Sequence, residues 1–71
     1  MSKLKEEVQT RYILHWNYRN LTQLPEELVQ FGSHIEEIYL KENRLEFLPE
    51  NVDQILPKLR EIYFYGNSLQ K

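Results

Sequence analysis

Chemistry in a 71-residue chain needs a nucleophile, an acid–base pair or a metal-ligand cluster. The candidates here are two histidines, three serines and eleven carboxylates. His15 and His34 stand nineteen residues apart, with no cysteine in the chain and no H-E-x-x-H pattern, so no metal site is expected. Glu26-Glu27, Glu36-Glu37 and Glu50 could supply an acid and a base, but only in a cleft that excludes water and shifts a pKa. Glu26 and Glu50 are better explained as residues of first helical turns, where negative charge is favourable. Ser2, Ser33 and Ser68 have no base near them in sequence, and two glycines, Gly32 and Gly66, do not make a phosphate loop. No catalytic residue, metal ligand or cofactor is expected, and the chain does not read as an enzyme.

What remains is a spacing. At an offset of 24 residues, Leu21 falls on Leu45 and Leu69, and Leu24-Pro25-Glu26 falls on Leu48-Pro49-Glu50. Leu28 meets Val52, Phe31 meets Ile55, Ile35 meets Leu59 and Ile38 meets Ile62. Tyr39 meets Tyr63, Leu40 meets Phe64 and Asn43 meets Asn67. Apolar character is kept where identity is lost, as expected when one core slot recurs. Three copies result, at 11–34, 35–58 and a partial 59–71, so about two and a half units. The first is degenerate, with Arg11 in place of the leading apolar residue and Arg19 in place of the asparagine, while Leu14, Trp16 and Leu21 hold their slots.

Each recurring position implies an element. Ile38 and Leu40 alternate with Tyr39, the period of a short strand with one buried face. Strands of successive copies should pair in parallel. Asn43 and Asn67 should turn inward, their amides satisfying backbone groups that a tight turn leaves unpaired. Leu45 and Leu48 should enter the core, and Pro49 should start a short helical or 3₁₀ segment. Val52 and Ile55 then cover the core, as Leu24, Leu28 and Phe31 do one copy earlier. Pro57 should end that segment. Residues 1–10 lie outside the repeat. Leu4 and Val8, four apart, fit either an amphipathic cap or a frayed tail.

Ile35 to Leu45 fits L-x-x-L-x-L-x-x-N-x-L, and Leu59 to Leu69 fits it again with Phe64 in a leucine slot. On these residues the chain resembles the leucine-rich repeat family. Asn17-Tyr18-Arg19-Asn20-Leu21, Leu48-Pro49-Glu50-Asn51, Leu56-Pro57 and Glu61-x-Tyr63 are similar to the N-terminal repeats of longer animal members. The resemblance implies an α/β solenoid, with short parallel strands on a concave face and short helical or 3₁₀ segments on the convex face. It also implies a cytoplasmic repeat protein without established chemistry, and a chain that stops early.

On such a fold the concave face carries His15 and Asn17 in the first copy, Glu37, Tyr39 and Lys41 in the second, and Glu61, Tyr63 and Tyr65 in the third. Stacking the copies sets His15, Tyr39 and Tyr63 in one row and Asn17, Lys41 and Tyr65 in the next. Tyrosines bring large contact area at small entropy cost, so this face is the expected binding surface for a protein partner. The competing explanation is that Tyr39 and Tyr63 merely cover each other across strands.

Nine basic against eleven acidic residues, a net charge of −2, argue against a nucleic-acid partner. No run approaches the roughly 18 apolar residues of a membrane span, and the charged N-terminus is no signal peptide. Without cysteines, a cytoplasmic location is expected. The expected function is a protein-interaction module. The alternative is a structural N-terminal piece of a longer repeat protein with no partner of its own. The convex half missing after Leu69 supports that alternative, and an uncapped edge there also allows self-association.

Overall fold

A computed structural model describes residues 3–68. Leu69, matched to Leu21 and Leu45 in the repeat, lies outside the described residues, as does Ser2. Along the chain run α1 (Lys3–Thr10), β1 (Ile13–His15), α2 (Glu26–Phe31), β2 (Glu37–Tyr39), α3 (Val52–Ile55) and β3 (Glu61–Tyr63). The strands form one parallel sheet in the order β1-β2-β3. The architecture is α/β, a three-stranded parallel sheet with three helices.

The register follows the sequence offset. Ile13 pairs with Glu37 and Glu37 with Glu61; Leu14, Ile38 and Ile62 align, as do His15, Tyr39 and Tyr63. The backbone bonds repeat with the same step. Trp16 N–H donates to Tyr39 C=O and Leu40 N–H to Tyr63 C=O; Tyr18 N–H donates to Lys41 C=O and Glu42 N–H to Tyr65 C=O. Tyr18, Glu42 and Gly66 occupy one turn position and all have positive φ, at 59°, 57° and 83°. That conformation is free for glycine and strained for the other two, so the paired amides of Tyr18 and Glu42 help to hold it.

The core lies between the inner side of the sheet and α2. Leu14 and Ile38 from the strands meet Trp16, Leu28, Ile35, Leu40, Leu45 and Leu56, all fully or almost fully buried. Asn43 is the one buried polar side chain among the described residues. Its Oδ1 accepts from the amides of Arg19 (2.9 Å) and Leu21 (3.1 Å), and its Nδ2 donates to Trp16 C=O (2.9 Å). Asn67 repeats this one step on, accepting from Leu45 N–H at 2.9 Å and donating to Leu40 C=O at 2.8 Å. The inward asparagines thus lace each turn to its predecessor.

Residues Lys3–Thr10 are helical, with Val8 buried and Leu4 packed against the core. The His34 ring nitrogen lies 2.9 Å from Val8 C=O, near the end of α1, and Lys5 sits over the Phe31 ring at 5.1 Å. This helix is thereby tied to the end of α2 and the loop after it.

Three expectations are corrected. α3 begins at Val52, not at Pro49, so Glu50 precedes the helix and Asp53 is its first-turn acid. The segment around Asn51 and Asp53 is a weaker helix former than Glu26-Glu27-Leu28, where α2 does start directly after Pro25. Phe64, in the slot where Leu40 is fully buried, is 39% exposed. Leu48, expected inside the core, is only partly buried, while Val52 and Ile55 pack against the core as expected. The shared reason is position: β3 is the edge of the sheet, so its inner residues have a packed neighbour on one side only. Among the described residues no helix is long and apolar enough to cross a membrane.

Candidate functional site

Alternation along each strand sends one residue in and its two neighbours out. Leu14 and Ile38 point inward, so Ile13 and His15, Glu37 and Tyr39, and Glu61 and Tyr63 populate the outer side of the sheet. In-register parallel strands lie about 4.8 Å apart, which is also a good distance for stacked rings. The imidazole of His15 stacks on Tyr39 with centroids 5.0 Å apart and planes 11° apart. Tyr39 stacks on Tyr63 at 4.8 Å and 9°. The expected row His15, Tyr39, Tyr63 is therefore a continuous ladder of rings, and mutual covering of the tyrosines is part of it. Covering leaves Tyr39 and Tyr63 half-buried, with His15 exposed at one end.

A second row flanks the ladder: Ile13, Glu37 and Glu61. The Tyr39 hydroxyl donates to Glu37 Oε1 at 3.0 Å, and the Tyr63 hydroxyl faces Glu61 one strand on. Each phenol's proton is held toward its neighbouring glutamate, and each ring is partly desolvated and stands beside carboxylates, so both tyrosine pKa values are raised above the ordinary 10.0. Protons are held more tightly in the folded chain than in the unfolded one. Stability from this source is complete below pH 10 and is lost as pH rises through the higher folded values. A pH titration of the ring signals should show Tyr39 and Tyr63 ionising above the ordinary 10.0, and Glu37→Gln should move Tyr39 back toward it. Ionisation of Tyr39 and Tyr63 at the ordinary value would contradict the engaged ladder.

The third row, Asn17, Lys41 and Tyr65, sits in the turns after the strands rather than on them. Asn17 Oδ1 accepts from the Lys41 backbone N–H at 2.8 Å, so its carbonyl oxygen is engaged in joining two turns. Lys41 is exposed, and Tyr65 is exposed to 79%.

One feature was illegible in the sequence. Between α1 and the β1 edge runs an open groove of about 490 Å³, lined by Lys3, Glu6, Glu7, Thr10, Arg11, His15 and Arg19. Glu7 lies 3.8 Å from Arg11 and 3.4 Å from Arg19. The i, i+4 pair with Arg11 could be read from spacing, but Arg19 reaches Glu7 only because the first turn folds back over the helix. No group of histidine and carboxylate residues suited to a metal ion occurs among the described residues. Glu26 and Glu27 are on α2, where Glu26 accepts from Gln30, and not on the sheet with Glu37.

No protein-family model matches the chain, and no solved structure matches it. What this face can do is therefore read from its own residues. It offers a flat, half-buried aromatic ladder with a carboxylate row along one flank and an exposed lysine and tyrosine along the other.

Proposed function

We propose that the chain is a leucine-rich-repeat solenoid segment that binds a protein partner through the outer face of its sheet. The repeat assignment is supported by the recurrence of strand, turn and inward asparagine at one 24-residue step. The binding assignment rests on the pre-stacked ladder of His15, Tyr39 and Tyr63. Rings already locked against each other lose little further entropy when a partner covers them, and tyrosine is enriched among residues that dominate binding energy. On this reading the chain is not an enzyme, and no cofactor, nucleic acid or membrane takes part.

The test is Tyr39→Ala with Tyr63→Ala. Truncating two central anchors should weaken partner capture by about 2 kcal/mol or more, roughly thirtyfold, with the circular dichroism spectrum kept. A second reading, a structural role in which the β3 side packs against a further repeat unit or a second copy, is favoured by the half-covered Leu59, Ile62 and Phe64. Capture that survives the double substitution would reject the outer face and leave the β3 side as the contact.

A further inference from the structure

We infer that the partner segment bound on this face is basic, and that an arginine of it sits across Glu37 and Glu61 against the tyrosine ladder. The inference rests on the protein-binding reading above and names the chemistry of the partner.

Four observations carry it. Glu37 and Glu61 are register partners on adjacent strands, which places two like charges about one strand spacing apart. Among the described residues neither carboxylate takes part in an ion pair, whereas Glu7 on α1 is paired to two arginines. Glu37 accepts the Tyr39 hydroxyl, which uses one of about four acceptor positions and leaves the others open. That same bond holds the glutamate beside the rings, so the negative charge and the aromatic surface form one contiguous patch. Ile13 occupies the equivalent position on β1, which confines the acidic part to the β2–β3 half of the face.

Two adjacent carboxylates repel until a cation bridges them. A guanidinium is the best match, because its planar fork can donate to an oxygen of each carboxylate at once. An ammonium satisfies the charge but not the plane, so lysine should bind more weakly. Lys41, across the tyrosine row, reverses the sign of the face and sets the direction in which the basic segment lies.

The experiment uses the whole chain and nuclear magnetic resonance titration of the Tyr39 and Tyr63 ring signals. The probes are three capped glycine pentapeptides carrying two arginines, two lysines or two glutamates. The arginine peptide should shift both rings at the lowest concentration, the lysine peptide less, and the glutamate peptide not at all. Glu37→Gln with Glu61→Gln, which keeps the side-chain shape and removes the charge, should weaken the arginine peptide by tenfold or more. Equal shifts from the glutamate peptide, a measurement on the unaltered chain that needs no variant to fold, would overturn the basic partner while leaving a binding face. Arginine binding unchanged in the double glutamine variant would overturn it too. No shift from any peptide would reject the arginine site, and the tyrosine double substitution would then decide separately whether the face binds protein.

Discussion

Replacing Asn43 with alanine should cost about 3–4 kcal/mol, a large share of the stability of the chain. The side chain is buried and holds four backbone groups: the amides of Arg19 and Leu21, the carbonyl of Trp16 and, at 3.4 Å, that of Lys41. Removing it costs about 1–3 kcal/mol for each of these that water cannot reach. Arg19 is exposed, so its amide recovers a water partner and the sum stays below the maximum. A domain of this length has roughly 4–10 kcal/mol in total. Urea unfolding should therefore show a much lower midpoint for Asn43→Ala. Asn67→Ala should lose about half as much, because Asn67 is only half-buried at the sheet edge. Equal losses at the two positions would mean that burial does not set the cost.

Trp16 should show a large difference between two substitutions. Its side chain is fully buried and is the largest in the core. Trp16→Ala should cost about 3–5 kcal/mol through lost contacts and a residual cavity. Its indole Nε1, however, is buried without a hydrogen-bond partner among the described residues. An unpaired buried donor costs about 1–3 kcal/mol, so Trp16→Phe removes a penalty while losing part of a ring. The phenylalanine variant should lie within about 1 kcal/mol of the parent in the same urea experiment. A loss as large as that of alanine would show that the indole N–H is satisfied and that shape alone governs this slot. The comparison matters for the outer face, because Trp16 follows His15 directly and its backbone amide holds Tyr39 C=O, anchoring the strand that carries the ladder.

The two predictions lie on opposite sides of what sequence alone can decide. The 24-residue offset was legible because a recurring core slot must be filled by the same class of residue wherever it falls. Leu14, Ile38 and Ile62 align in the sheet as the offset places them. Asn43 and Asn67 turn inward for the reason their type and position suggested: a tight turn leaves backbone groups that a short amide can satisfy. The row of His15, Tyr39 and Tyr63 followed from strand alternation, which needs no tertiary information beyond pairing in register.

Tertiary structure decided the rest. Whether residues 3–10 formed a helix or frayed was open in the sequence, because two apolar residues four apart do not stabilise so short a helix alone. Contact with the end of α2 and with His34 makes the difference. Phe64 reads as a core residue and is partly exposed, since burial at a sheet edge depends on what lies beyond β3 and not on residue type. Asn17 reads as a free polar group, yet its oxygen is engaged by the next turn's backbone. The groove beside α1 and the bond from Tyr39 to Glu37 arise from side-chain geometry between and along elements. Spacing marks which residues share a face; packing decides which of their polar atoms remain open to a partner.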